Sequence, residues 1–267
     1  MLAITSRDIH LARVDIRDGL VAWNIWHLLT MQELRQRYRR SVLGPLWISV
    51  SLAVQVLVMG VVVGLLFKQE FQKYLPYATL GIIIWNFISA SLIEGAGCFV
   101  AASSYLLQLK RPLFAFVVHV LWRNLVYLAH TAVIYVVVAL VFQVPLTPAI
   151  LLVVPGIALL LTNMAWIGLF IGTLAARYRD VQMILQSSMT VLFWVTPIAF
   201  YPTMLGTHRW IMDINPLSHF IDIVRTPILG DVPSMQTWLV MIGLAIVGWT
   251  VSFLFFSRFR ARITYWL

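Results

Sequence analysis

Residues 149–176 read AILLVVPGIALLLTNMAWIGLFIGTLAA, a run of 28 residues without a lysine, arginine, aspartate or glutamate. An α-helix needs about 20 predominantly apolar residues to cross a hydrocarbon core about 30 Å thick. The polar sequence Arg-Tyr-Arg-Asp follows at once, at residues 177–180. The pattern therefore predicts a membrane-spanning helix that ends at a charged link.

The composition of the whole chain agrees with a lipid environment. Of its 267 residues, 61% are hydrophobic and 11% are charged, whereas a soluble domain carries about 25% charged residues. Membrane barrels show short segments of alternating hydrophobicity, but the apolar runs of this chain are long and continuous. The sequence therefore predicts an all-α integral membrane bundle.

Six apolar runs are long enough to cross a membrane. They cover approximately residues 42–67, 75–100, 113–142, 149–176, 181–201 and 238–256. Residues 202–237, between the last two runs, contain four prolines and are too short for two further crossings. This segment predicts short re-entrant or interfacial helices.

The residues before the first run divide into two parts. The stretch up to Asp18 has three aspartates and no continuous apolar core, so we expect an irregular segment and no cleavable signal peptide. From Leu20 to Arg40, apolar residues recur at helical spacing and arginines cluster at the end. This pattern predicts an N-terminal amphipathic helix in the headgroup plane.

Lysine and arginine are distributed unequally between the links. Fourteen lie on the side of the two termini and four on the other side. The positive-inside rule then places both termini in the cytoplasm. Membrane topology thus accounts for the formal net charge of +9, and we expect no nucleic-acid partner.

Two charged residues, Glu94 and Arg123, lie inside predicted spans. A charge at the centre of a membrane helix costs about 2.5–3.5 kcal/mol on insertion scales. We therefore expect both side chains to face the interior of the bundle. Adjacent antiparallel spans would allow them to form an ion pair with each other, and a proton relay is the alternative.

The sequence does not match the usual patterns of a catalytic or metal centre. Cys98 is the only cysteine, and we expect it to be a packing residue. His208, Asp213, His219 and Asp222 are irregularly spaced and match no ligand motif. The sequence also contains no G-x-x-x-x-G-K-[ST] phosphate loop and no G-x-S-x-G elbow. We expect no metal or cofactor bound by this chain, and no enzymatic activity.

Four short motifs follow one another along the chain. They are Arg37-Tyr-Arg-Arg-Ser-Val-Leu-Gly-Pro-Leu-Trp47, Ala176-Arg-Tyr-Arg-Asp180, Thr196-Pro-Ile-Ala-Phe-Tyr201, and Asn215-Pro-Leu217 followed by Arg225. In this order they resemble the permease subunits of ABC transporters that export O-antigen, capsule and teichoic-acid polymers. No single motif is specific, but together they are, and the similarity covers nearly the whole chain.

The resemblance implies a transport function and a set of partners. In that family two copies of the permease form the pathway, and two copies of a separate cytoplasmic ATPase, which binds the ATP and Mg, drive it. The expected substrate is an undecaprenyl-diphosphate-linked polysaccharide, of the O-antigen type, that crosses the bacterial cytoplasmic (inner) membrane. We expect one permease domain over residues 1–267, with an N-terminal region at 1–41, a six-span bundle at 42–258 and a tail at 259–267.

Four arginines before the first span are candidates for binding the substrate headgroup. They are Arg35, Arg37, Arg39 and Arg40. Guanidinium groups match phosphate oxygens in bidentate geometry, so they could bind the lipid diphosphate. They could equally anchor the helix to anionic membrane lipids, and both interpretations remain open.

The resemblance implies that two links contact the ATPase, residues 102–110 and 177–180. The candidate contacts are Gln108, Lys110, Arg177, Tyr178, Arg179 and Asp180. Asp180 could instead simply begin a helix, where an acid interacts favourably with the helix dipole.

Five aromatic residues are candidates for the glycan pathway, because the second and fifth runs resemble the pore-lining helices of the family. They are Trp85, Phe87, Phe193, Trp194 and Tyr201. Aromatic surfaces suit the C–H faces of a sliding sugar polymer. The alternative is that these rings face lipid or belong to the interfacial aromatic belt.

Other functions remain as alternatives. An ABC exporter of a small amphiphile, such as a drug or a lipid, differs from the first hypothesis only in its substrate. A membrane-embedded enzyme would need a nucleophile with its base, or buried carboxylates with a metal, and Glu94 is nearly the only acid within a span. A secondary transporter would show inverted repeats, and no convincing internal repeat is present.

Overall fold

The computed structural model describes residues 5–39, 44, 46–66, 70–109, 111–208 and 210–267. Within these ranges the chain is helical and contains no β-strand. The helices are α1 (Ser6–Val21), α2 (Trp23–Tyr38), α3 (Leu46–Leu66), α4 (Phe71–Ala101), α5 (Ser103–Gln108), α6 (Phe114–Val141), α7 (Val153–Arg177), α8 (Asp180–Val195), α9 (Trp210–Ile214), α10 (Pro216–Ile228) and α11 (Met235–Trp266). Two 3₁₀ helices, Pro148–Leu152 and Pro202–His208, precede α7 and follow α8.

Four helical segments are long and apolar enough to cross a membrane: Phe71–Gln108, Phe114–Val141, Pro148–Arg177 and Met235–Trp266. These segments confirm an integral membrane protein with several spans. α3 and α8 are shorter, so the count of six crossings stays a prediction. α4 is the central helix, since 72% of its most apolar stretch is buried, against 22% to 28% for the other three segments.

Glycines allow α4 and α7 to approach closely. A Cβ atom on Gly172 would lie 2.9 Å from the Gly95 carbonyl oxygen and 3.0 Å from the Cys98 sulfur. A Cβ atom on Gly95 would lie 3.3 Å from the Gly168 Cα. Small residues let membrane helices pack backbone to backbone, and Cys98 fills this contact as the expected packing residue.

The N-terminal stretch is a helix, so the expected irregular segment was wrong. Thr5 and Asp8 form a capping box at the start of α1, and the hydrogen bonds that Asp8 accepts from Thr5 lower the pKa of this carboxyl. The buried Asp15 carboxylate accepts a 3.0 Å bond from the Phe114 backbone N–H and a 2.8 Å bond from Arg260 Nε. α1 is therefore attached to the start of α6 and to the end of α11.

Helix boundaries differ from the prediction at three further places. The predicted helix from Leu20 to Arg40 breaks at Ala22, and its second part is α2. α4 begins at Phe71 rather than at Leu75, with Pro76 in its first turns. α11 continues to Trp266, ten residues beyond the predicted end of the last span. The limits of α6 agree with the predicted run 113–142 to within one residue.

Contacts between the helix ends show which of them lie together at each end of the bundle. α1, α5, the α7–α8 link and the last turns of α11 lie at one end, which we call the arginine-rich end. The opposite end holds the start of α4, the end of α6 and the segment between α8 and α11. The first and last described α-helices, α1 and α11, therefore meet at the arginine-rich end.

α8 ends at Val195, so the prediction that this span continues to Tyr201 was wrong. Pro197 cannot donate a helical hydrogen bond, and residues 196–201 leave the helix. Their carbonyl oxygens find partners elsewhere: Arg225 Nη1 donates to Pro197 at 2.7 Å and the Tyr74 hydroxyl donates to Ala199 at 2.5 Å. Bonds of this kind allow non-helical backbone at membrane depth.

Short helices follow this unwound segment, as the sequence predicted, although their depth in the membrane stays a prediction. Asn215 begins α10, because its side-chain oxygen accepts the Leu217 N–H at 3.0 Å. The amide nitrogen of Asn215 donates to the Thr196 hydroxyl at 3.0 Å. The third and fourth motifs of the sequence therefore meet in space and hold the unwound segment.

Arg225 is the most deeply buried cation of this region, with 2% of the residue exposed. Its guanidinium donates to Asp222 at 2.6 Å and stacks 3.9 Å from the centre of the Tyr77 ring. Removing one partner of a buried ion pair leaves the other charge unpaired and costs about 3–5 kcal/mol.

Arg225→Ala should therefore lower the free energy of unfolding by about 3 kcal/mol, since Asp222 and the Pro197 carbonyl lose their partner. The measurement is the midpoint of thermal unfolding of the purified protein in detergent. Arg179→Ala, at an exposed position of the α7–α8 link, is the matched control and should leave the midpoint unchanged. Equal midpoints for the two variants would contradict the role given to Arg225.

Candidate functional site

An ion cluster joins α2, α4 and α6. Arg123, on α6, bonds to Glu94 on α4 at 2.8 Å and to Glu33 on α2. Asn124 Nδ2 donates to the same Glu94 oxygen at 3.0 Å, and His119 Nε2 lies 3.6 Å from Glu33. The predicted pairing of Glu94 with Arg123 is confirmed. Sequence reasoning missed Glu33, although it is the only acid between Asp18 and Glu70.

Two cavities meet at this cluster, and Glu94 lines both. The first, of about 360 Å³, lies toward the arginine-rich end between α2, α4 and α6, with Gln32, Gln36 and Gln182 in its wall. The second, of about 410 Å³, is bounded by α2, α3, α4 and α6, and we call it the central cavity. Volumes of this size are typical of sites for small molecules.

Three of the four candidate headgroup arginines lie at the end of α2. Arg35 and Arg37 are in its last turn and Arg39 follows it, whereas Arg40 lies outside the described residues. Arg37 Nη1 donates to the Tyr127 hydroxyl at 3.0 Å, and its guanidinium lies 5.4 Å from the centre of that ring. Arg37 lines the central cavity, so a cation stands at one wall of this space.

Three of the five aromatic candidates come together between α4 and α8. Trp85, Phe193 and Trp194 line a depression of about 330 Å³, which we call the aromatic depression. Phe193 packs edge-on against Trp85 with ring centres 6.0 Å apart, and Trp194 is 70% exposed. Trp85 is itself buried, so Phe193 and Trp194 are the rings that a ligand could reach.

Polar side chains that sequence reasoning missed share the aromatic depression. They are Gln55, Asn86, Ser89, Gln186 and Thr190. Gln186, Thr190 and Phe193 follow at helical spacing and therefore lie on one face of α8. This spacing could have been read from the sequence. The combination of aromatic faces with amides and hydroxyls suits a ligand that has both apolar surface and hydrogen-bonding groups.

The other two aromatic candidates lie elsewhere. Phe87 is buried and lines the central cavity. Tyr201 packs against Tyr77, with ring centres 4.3 Å apart, at the opposite end of the bundle. The five rings are therefore not one continuous surface.

The two links implicated in ATPase contact both lie at the arginine-rich end. Gln108 is exposed at the end of α5, where the buried Leu106 anchors this short helix. Lys110 is outside the described residues.

The link between α7 and α8 is exposed throughout, at Arg177, Tyr178, Arg179 and Asp180. Arg177 stacks on Tyr178 at 5.1 Å and on Trp266, near the end of α11, at 5.6 Å. The end of α11 therefore packs against this link. Asp180 is the first residue of α8, in agreement with the helix-start interpretation.

The four residues considered for a metal site have other partners or positions. His219 bonds to Thr237 at 3.3 Å and to the Asp213 carbonyl at 3.1 Å. Asp222 pairs with Arg225. Among the residues that the structure describes, no group of three or more His, Cys, Asp or Glu side chains is arranged to hold a metal ion.

Comparison with known proteins gives the family. The family model described as ABC-2 type transporter matches residues 25–229. The chain belongs to the ABC-2 type transporter family. This ABC-2 chain is therefore a membrane subunit of an ABC transporter, and its family membership implies an ATPase partner.

Similar proteins carry the names of export permeases. The O-antigen export system permease protein RfbA of Klebsiella pneumoniae is 21% identical over 240 residues, which cover 88% of this chain and 92% of the relative. The protein of the same name from Myxococcus xanthus is 21% identical over 241 residues, covering 86% and 90%. The similarity thus extends over nearly the whole ABC-2 chain, as the order of the four motifs predicted.

The members of the ion cluster should differ in how much each contributes to the free energy of unfolding. Arg123→Gln leaves Glu33 and Glu94 close together without a cation and should lower the free energy of unfolding by about 2 kcal/mol. Glu33→Gln keeps the pair of Arg123 with Glu94, so its loss should be less than half as large. Thermal unfolding in detergent measures both, and a larger loss for Glu33→Gln would contradict the central place of Arg123.

Proposed function

We propose that this chain is the permease subunit of an exporter that carries undecaprenyl-diphosphate-linked polysaccharide, of the O-antigen type, across the bacterial cytoplasmic membrane. The observation that carries the proposal is the aromatic depression, where the exposed Trp194, the partly buried Phe193 and several amides lie side by side. Sugar rings have apolar C–H faces and hydroxyl edges, and the depression offers partners for both. The names of the relatives, which are O-antigen export permeases, support the O-antigen part of the proposal.

A second copy of the chain completes the pathway in this proposal. The described cavities hold about 330 to 410 Å³ each, which fits a small molecule rather than a polymer that crosses the whole membrane. Trp194, in the wall of the aromatic depression, is exposed in the single chain. Two copies whose depressions face each other would enclose a continuous passage, so we expect a homodimer.

The proposed topology has six crossings, formed by α3, α4, α6, α7, α8 and α11. The arginine-rich end lies in the cytoplasm in this topology, which the distribution of lysine and arginine between the links favours. Both termini are then cytoplasmic, and the protein is a multi-pass component of the inner membrane. α9 and α10 lie at the outer surface.

Two copies of a separate cytoplasmic ATPase would bind at α5 and at the α7–α8 link. Both segments are exposed at the same end of the bundle, and the first is continuous with α4, which forms one wall of the aromatic depression. Movement imposed by the ATPase would therefore reach the pathway through a rigid helix. ATP and Mg belong to the partner, and this chain binds no cofactor.

The arginines at the end of α2 would receive the lipid diphosphate. Arg35, Arg37 and Arg39 lie within one turn of the end of α2, and a guanidinium group can bind two phosphate oxygens at once. Arg37 also lines the central cavity, so a diphosphate bound there would lie at the entrance to the interior. Anionic membrane lipids would occupy the same arginines when no substrate is present.

Depletion of the protein in its native cell tests the proposal. We expect undecaprenyl-linked polysaccharide to accumulate inside the cell while surface polysaccharide disappears, as measured by extraction and analysis of both pools. Restoring the gene is the control and should return both pools to normal. Unchanged pools would contradict polysaccharide export and favour export of a small amphiphile.

A further inference from the structure

The central cavity contains a buried acceptor that no described group satisfies. Asn124 is 1% exposed, and its Oδ1 atom has no hydrogen-bond partner among the described residues. Its Nδ2 atom donates to Glu94, and a carboxylate only accepts, so the orientation of the amide is determined. Asn124 lies in the wall of the cavity, but its Oδ1 atom is closed off from the open space, so a ligand hydroxyl would meet the neighbouring amides instead.

The rest of the wall has the groups that bind sugar hydroxyls. Asn86 and Gln55 are exposed to the cavity and offer amide donors and acceptors. Glu94 accepts hydrogen bonds, and the buried Phe87 and the exposed Trp47 provide apolar surface. A hydrocarbon chain would leave these polar atoms without partners, whereas a hydroxyl-bearing ring would satisfy them.

Two connections give the cavity a position along the pathway. Arg37, one of the arginines to which we assign the diphosphate, lines it on one side. Gln55 and Asn86 line both the central cavity and the aromatic depression. A ligand with its diphosphate at Arg37 would therefore place its next group in the central cavity and further groups on Phe193 and Trp194.

We propose that the central cavity is a subsite for the sugar attached directly to the diphosphate of the lipid carrier. The subsite rests on the proposed export function and adds residues to it. The exposed amides of Asn86 and Gln55 bond to sugar hydroxyls, and Trp47 and Phe87 contact the apolar parts of the ring. The chain thereby distinguishes a lipid diphosphate that carries a sugar from one that does not.

Comparison of the affinities for two lipids tests the sugar subsite independently of the arginine site. The probes are a polyprenyl diphosphate that carries one hexose and the same polyprenyl diphosphate without sugar. The permease, together with its ATPase partner in lipid nanodiscs, should bind the sugar-bearing lipid more tightly by at least about tenfold, the equivalent of one or two net hydrogen bonds.

Substitutions in the cavity should remove only the contribution of the sugar. Asn86→Ala and Gln55→Ala, at positions exposed to the cavity, should each weaken binding of the sugar-bearing lipid by about three- to tenfold and leave the bare diphosphate unchanged. Gln236→Ala, an exposed amide at the start of α11, is the control and should change neither affinity.

Each other outcome overturns a different part of the account. Equal affinity of the wild-type protein for the two lipids would contradict the sugar subsite but leave the arginine site and the export function intact. If the cavity variants lost affinity equally for the two lipids, the substituted residues would support the structure of the protein and would not recognise the sugar. Binding of neither lipid would contradict the proposed function itself, and the subsite with it.

Discussion

The requirement that a charge within an apolar bundle be paired shapes the centre of this protein. Arg123 lies on a membrane-spanning helix, where an unpaired charge is costly, and it is paired by Glu94 from α4 and Glu33 from α2. This arrangement attaches α2 to the bundle at a fixed place. As a result Arg37 reaches Tyr127, and the two cavities open on either side of Glu94.

The same requirement explains the opposite end of the bundle. Backbone that leaves a helix within the membrane needs donors for its carbonyl oxygens, and Tyr74, Tyr77 and Arg225 supply them to residues 196–201. Two of the four motifs that carry the family resemblance thus support the fold of this segment. The groups that we assign to the substrate lie outside these two motifs, on or next to α2, α3, α4 and α8.

Hydropathy predicted the fold class and located the long helices, because the requirement for about 20 apolar residues acts on each span separately. Hydropathy failed where the conformation of a segment depends on a partner that is distant in sequence. The sequence of α1 is polar enough to suggest an irregular segment. In the structure, however, the buried Asp15 carboxylate pairs with Arg260, 245 positions away along the chain. The exclusion of Phe87 from the aromatic depression was predictable, since it lies about 200° around the helix from Trp85.

We assign the face formed by α4 and α8 to a polysaccharide, and the most direct test is cross-linking from that face during export. A photo-cross-linking amino acid in place of Trp194 should form a light-dependent adduct with polysaccharide in cells whose partner ATPase is active. The same amino acid in place of Leu254, an exposed position on α11, should form adducts with lipid alone. If position 194 also yields only lipid adducts, the depression faces the bilayer and the pathway proposed between two copies is wrong.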